Sequence, residues 1–279
     1  MTGAGVLVEE STGPFPGSLD ADLIGRYAAA TGDRSERTRA GLAVPAVAIV
    51  TQIWVAQEAG RGALVSKEVQ AAASGGVHGE HDVVLHRPLV PGEPLRTWVR
   101  GFGARPAGRN ALVTLRYSTL DERDEVVAEQ LWTTVYLNTT CRAVGSPVPD
   151  HAFPADVRRS PVGEYTVTVD ADMPRRYAEV SGDWSDHHFD AAAARRGGFD
   201  RPFLHGLCTM ALCSQEVVDA VAGGDPDRVR RVAVRFASPA FVGEDLRVGV
   251  YEAGPLSYAF EANSAGSPVV THGRLELRG

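Results

Sequence analysis

The chain has 279 residues, 44% of them hydrophobic, enough to bury the core of one large domain or of two ordinary ones. Its 28 Lys and Arg stand against 35 Asp and Glu, a formal charge of −7 with no basic block, which argues against nucleic acid or an anionic membrane as the main partner. Three cysteines, Cys141, Cys208 and Cys213, read as reduced thiols, and no apolar run is long enough to span a bilayer, so a soluble cytoplasmic protein is expected.

Residues 1–18 are rich in Gly, Pro, Ser and Thr, with one strand candidate at 6–9. A helix is expected over 22–31 and another over 45–58. Strands are expected near 77–86, 95–102, 111–119 and 125–137, with 103–109 as a loop. Gly101 to Gly103 lies between strands and is too short for a phosphate-binding loop. Four prolines, at 147, 149, 154 and 161, make 142–162 a linker.

Beyond the linker, strands are expected near 164–169, 230–237, 246–253, 258–262 and 268–277, and 223–227 as a loop. Asp172 can cap a helix with Pro174 in its first turn and Met173, Tyr177 and Val180 on one stripe; Gly182 ends it. Asp183 then falls on the turn leaving that helix. Leu207, Met210, Ala211, Ser214, Val217, Val218 and Val221 recur at three- and four-residue steps, which predicts a helix over 206–221 stopped by Gly223 and Gly224. The first amides of that helix have no intrahelical acceptor, and Gly206 lets a ligand oxygen approach them.

The two halves echo each other. Tyr27-Ala-Ala-Ala-Thr-Gly-Asp33 parallels Tyr177-Ala-Glu-Val-Ser-Gly-Asp183, and the segment at Gly41 to Ala48 parallels Gly198 to His205. Pro-x-x-x-Gly-Glu-x-Leu-Arg occurs at both 88–96 and 239–247. The gap after Asp33 is seven residues against fourteen after Asp183, which omits the counterpart of His188, and Ala48 replaces His205. The first copy therefore reads as degenerate.

A carboxylate at Asp183, an imidazole at His188, the pair His205-Gly206 and an apolar helix behind them suit proton transfer beside a polarised carbonyl. The pattern Tyr177, Ser181-Gly182-Asp183-Trp184, His188, Gly198-Phe199, Pro202 and His205-Gly206-Leu207-Cys208-Thr209 resembles the MaoC-like hydratases and dehydratases, most closely the type-2, (R)-specific enoyl-CoA hydratases. The resemblance implies an α+β double hot-dog, each repeat a long helix wrapped by an antiparallel sheet. It places a degenerate repeat at 1–141, the linker at 142–162 and a catalytic repeat at 163–279. It also implies that Asp183 and His188 hold the water added to a 2-enoyl thioester or lost from a 3-hydroxyacyl one, and that the Gly206 amide binds the thioester oxygen. Ser185, Trp184, His205 and Leu207 are expected against substrate, with no cofactor beyond the CoA or acyl-carrier thioester itself, and a homodimer is the family's habit.

Ser185 stands where the family has Asn, so any bond that residue makes should lengthen or pass through water. Asp186 stands where Pro is usual and would favour a protonated His188 if it points inward. His187 reads as packing, and His205 as a buried imidazole satisfying a carbonyl. Asp183, Asp186, His187, His188 and His205 match no common zinc spacing. Two further readings share the same pocket: a non-catalytic acyl-thioester-binding subunit, or the dyad serving another elimination or cyclisation in secondary metabolism.

Overall fold

In the computed structural model, which describes Val6, Leu7 and residues 10–279, eleven strands pair antiparallel into a single sheet. The first half supplies β1 (Ser11–Gly17), α1 (Ala21–Ala30), α2 (Glu36–Arg39), α3 (Trp54–Leu64), α4 (Lys67–Ala72), β2 (Gly76–Leu85), β3 (Leu95–Ala107), β4 (Asn110–Leu120) and β5 (Val126–Tyr136). The second supplies β6 (Val144–Gly145), β7 (Pro161–Thr168), α5 (Met173–Ser181), α6 (Ala191–Arg196), α7 (Gly206–Ala222), β8 (Val229–Phe236), β9 (Asp245–Gly254), β10 (Ser257–Ser264) and β11 (Ser267–Leu277). Strand order is β1-β3-β4-β5-β2-β8-β11-β10-β9-β7, with β6 beside β3. The α+β class expected from sequence is the class observed.

The halves join where β2 pairs with β8, Glu80 opposite Arg235 and Val84 opposite Arg231. Opposite charges line this seam. Arg235 Nε donates to Glu80 Oε1 at 2.9 Å, and Arg231 reaches Asp82. Arg34 ties the first half to α7 as well, bonding Glu216 at 3.0 Å and Asp219 at 2.6 Å.

The helix α7 is buried nearly all round, from Leu207 through Ser214 and again at Val217 and Val218, because strands β7 to β11 curve about it and the first half closes its other side. Its polar side chains stay satisfied locally: Thr209 Oγ1 donates to the His205 carbonyl and Ser214 Oγ to that of Ala211.

Several expectations are corrected. Residues 11–17 form a strand despite Pro14 and Pro16, because β1 lies at the sheet's edge and needs bonds on one side only. Of the strand candidate at 6–9, Val8 and Glu9 lie outside the described residues, while Leu7 makes one bridge to Val65. The helix expected over 45–58 is a 3-10 stretch, Ala46–Ile53, followed by α3 as far as Leu64. The loop at 103–109 shrinks to its tip, since β3 continues to Ala107 against β4. Residues 142–162 contain β6, a 3-10 turn at Ala155–Arg159 and the start of β7, whose edge position tolerates Pro161. The 223–227 loop closes into a 3-10 turn at Pro226–Arg228. Asp172 occupies the N-cap of α5 but caps nothing with its side chain, pairing instead with Arg176 at 3.2 Å. Among the described residues no helix is long and apolar enough to cross a membrane.

Candidate active site

Gly182 ends α5 in a left-handed conformation, φ +78°, which turns the chain so that Asp183 enters a cleft of about 840 Å³. The carboxylate is held by the turn that follows. Asp183 Oδ1 accepts from the Ser185 amide at 3.1 Å and the Ser185 hydroxyl at 2.6 Å, leaving Oδ2 free to face inward. Ser185 thus bonds directly to the acid, against the expectation of a lengthened or water-carried bond, because two residues is the natural reach of an Asx turn.

A 3-10 turn, Asp186–His188, then presents His188. Its Nδ1–H donates to the Phe203 carbonyl at 2.8 Å, so in the neutral ring Nε2 carries the lone pair. That Nε2 lies 3.9 Å from Asp183 Oδ2. The gap is too long for a direct bond and suits one water: arms of about 2.8 Å to each atom meet at an angle near ~90°.

Burial pushes the His188 imidazole down to about 3, with the neighbouring His205 and His187 rings adding to the effect and Asp183 opposing it. His205 is pushed down to about 4, again chiefly by burial. Both rings are therefore neutral at ordinary pH, His188 as an acceptor at Nε2. Asp186 is exposed and does not point inward, so the protonating influence expected of it is not exerted on His188. His187 is half-buried and stacks on Phe203, rings 5.2 Å apart and 21° inclined.

His205, set against substrate in the sequence reading, lines the cleft but gives its Nε2–H to the Asp183 carbonyl at 2.9 Å. It is the N-cap residue of α7, and the N–H groups of Gly206, Leu207 and Cys208 begin that helix without intrahelical acceptors. Gly206 and Leu207 both line the cleft. A Cβ on Gly206 would come 3.3 Å from the Phe236 ring, so any larger residue here presses on that ring. Trp184 stands half out of the protein at the cleft's edge, stacked on Phe189 at 5.6 Å. Cys208 and Cys213 are wholly buried, and burial pushes both thiols up, that of Cys213 to about 12.

Asp183, His188 and His205 offer ligand atoms within 4.8 Å of one another, while Asp186 and His187 are not in this group. The set fits a cation poorly. The two rings stack at 3.7 Å, and bonds of about 2.0–2.2 Å to zinc would have to open to roughly 125–155°, wider than the tetrahedral angle, to span the 3.9 Å between Asp183 Oδ2 and His188 Nε2.

The first half builds the facing wall through Val50, Trp54, Gln57 and Glu58. Further on, His78 stacks on Trp132, rings 3.8 Å apart and nearly parallel, and approaches Phe236 at 4.9 Å. Sequence reasoning missed His78, Trp132 and Phe236, which meet only through strand pairing; the aromatic residues in β2, β5 and β8 carried no spacing that could reveal it. A hollow of about 10 Å³, the size of one water, remains beside Tyr27, Thr31, Ala46 and Val47, the sequence counterparts of Tyr177, Ser181, Phe203 and Leu204. Asp33, the counterpart of Asp183, is buried, and burial raises its carboxyl.

A hot-dog sheet doubled around two helices, with an acid and an imidazole beside a helix start, defines the class. A model of the MaoC like domain matches residues 152–264. The 3-hydroxyacyl-thioester dehydratase Y of Mycobacterium tuberculosis is 32% identical over 195 residues, covering 68% of this chain and 67% of that protein. The peroxisomal enoyl-CoA hydratase 2 of Arabidopsis thaliana is 28% identical over 181 residues, 61% of this chain and 58% of that one. A MaoC-like dehydratase structure from Phytophthora capsici superposes with a TM-score of 0.82 at 22% identity, over 98% of this chain and 96% of that one. A Mycobacterium tuberculosis structure described as a double hotdog fold gives 0.63 at 13%, over 96% and 95%. This chain belongs to the MaoC-like hydratase and dehydratase family.

Proposed function

We propose that the protein is a carbon–oxygen lyase that reversibly hydrates a 2-enoyl thioester to the (R)-3-hydroxyacyl thioester, with Asp183 and His188 as the dyad and no resident cofactor. The observation that carries this reading is the 3.9 Å gap between Asp183 Oδ2 and His188 Nε2, with His188 turned to it by the Phe203 carbonyl. The names of the relatives supply the substrate class, an acyl thioester on CoA or a carrier protein.

In the hydration direction, water bridging the dyad gives a proton to His188 Nε2 as its oxygen bonds to Cβ. The displaced double-bond electrons move through Cα to the thioester oxygen, and the Gly206 N–H at the start of α7 stabilises that enolate. The protonated dyad then delivers a proton to Cα, which restores the neutral imidazole. Dehydration is the reverse. Residues 163–279 carry the chemistry, and residues 1–141, without a dyad of their own, wall the acyl channel.

The test is loss of the conjugated-enoyl ultraviolet absorbance when thioesters of graded chain length meet the protein. Asp183→Asn and His188→Ala should each lower the rate by about 10²–10⁴-fold with the fold intact. Thioester binding without turnover in the unaltered protein would replace this reading with that of a binding subunit.

A further inference from the structure

His205 adjoins the acid, the imidazole and the start of α7 at once. Its Nε2–H donates to the Asp183 carbonyl at 2.9 Å, which fixes the backbone of the acid. Its ring lies under that of His188, centroids 3.7 Å apart and planes 28° inclined, and so sets the height of the imidazole. As the N-cap residue of α7 it immediately precedes Gly206. Its carbonyl accepts from the Thr209 amide at 3.0 Å and the Thr209 hydroxyl at 3.1 Å, which locks the residue to the helix.

The remaining ring nitrogen, Nδ1, is buried and has no hydrogen-bond partner among the described residues. With Nε2 protonated for the Asp183 carbonyl, a second proton would leave a buried N–H unpaired, so the ring stays neutral. A neutral ring beneath His188 puts no fixed positive charge against the base. The first half offers the contrast: Ala48 occupies the corresponding place, and the space beside its neighbours has shrunk to the size of a single water.

We propose that His205 is a positioning residue that sets the separation of Asp183 and His188 and registers both against the Gly206 amide. This rests on the dyad reading above. It predicts that what matters in His205 is the donor at the distance of Nε2, which a glutamine can reach and an apolar side chain of similar bulk cannot.

The experiment compares His205→Leu and His205→Gln with the unaltered protein on one enoyl thioester. The expected result is a kcat loss on the order of 10- to 100-fold for His205→Leu with KM within about threefold, and recovery of at least about tenfold of that loss in His205→Gln. Equal losses in both variants, an unchanged kcat in His205→Leu, or a change confined to KM would overturn it. A second measurement needs no variant to fold. Nitrogen-15 NMR of the unaltered protein should show a His205 Nε2 proton protected from exchange and an unprotonated Nδ1 near neutral pH; a protonated Nδ1 or an unprotected Nε2 proton overturns the proposal. The dyad reading fails separately, through an inactive unaltered protein or an active Asp183→Asn.

Discussion

Arg231 forks onto Asp82 across the seam where the two half-sheets meet, Nε to Oδ1 at 2.9 Å and Nη2 to Oδ2 at 2.6 Å. Both side chains are largely out of water, and the hydrogen bonds to Asp82 hold the Arg231 guanidinium above its usual value. Asp82 is placed there by the β2–β8 register, two residues from the Val84 that pairs with Arg231.

Removing one partner should cost more than removing both. Arg231→Ala leaves a buried carboxylate and is expected to destabilise the protein by about 3–5 kcal/mol, whereas Arg231→Met combined with Asp82→Leu recovers most of that loss. Urea unfolding midpoints of the two variants measure the difference. Equal midpoints would mean that the seam depends little on this pair.

Two buried neutral imidazoles make stability depend on pH. His188 and His205 titrate near 3 and 4 in the folded chain against 6.5 in the unfolded one, so between those limits the unfolded state binds more protons. Their contribution is complete above pH 6.5 and is lost as pH falls toward 4 and then 3. Urea midpoints should therefore decline below pH 6.5, with a shallower slope in His205→Gln. For the same reason the acid limb of kcat/KM due to His188 should lie below about pH 5; a limb at the ordinary imidazole value would show a solvated base.

Much of this was legible in the residues, and what was not has identifiable causes. The α7 pattern was readable because Leu207 to Val221 repeats at helical steps and Gly223 ends it with φ +66°. Asp183, His188 and Gly206 were readable because one stretch of chain holds all three. The true end of α3 was not: the helix runs past residue 58 to Leu64 through Gly60, a helical residue pressed on Val99, where a Cβ would come within 3.0 Å. The wall of His78, Trp132 and Phe236 was invisible because residues from three strands are brought together only by the β5-β2-β8 pairing.

Trp54 provides a test of that wall. It lines the cleft from the first half, its ring 6.3 Å from that of Trp132, and it is remote in sequence from the dyad. Trp54→Ala should widen the channel, raising KM for short acyl thioesters several-fold while leaving kcat within about threefold, because uniform binding is lost and proton transfer is untouched. Steady-state kinetics over a chain-length series decides it: an unchanged KM profile would remove the first half from substrate contact.

Gly206 is the position where packing and chemistry conflict most directly. An added Cβ would stand 3.3 Å from the nearest atom of the Phe236 ring, a little closer than an ordinary contact, so either the ring or the first turn of α7 must shift by a few tenths of an ångström. The turn carries the amide proposed to hold the enolate oxygen, and a displacement of that size should lower kcat/KM by about tenfold while the melting temperature changes little. Phe236→Leu placed beside Gly206→Ala relieves the contact and should return part of the rate, a coupling that a double-mutant cycle measures. Additive losses would show that the methyl group acts on the incoming thioester and not through Phe236.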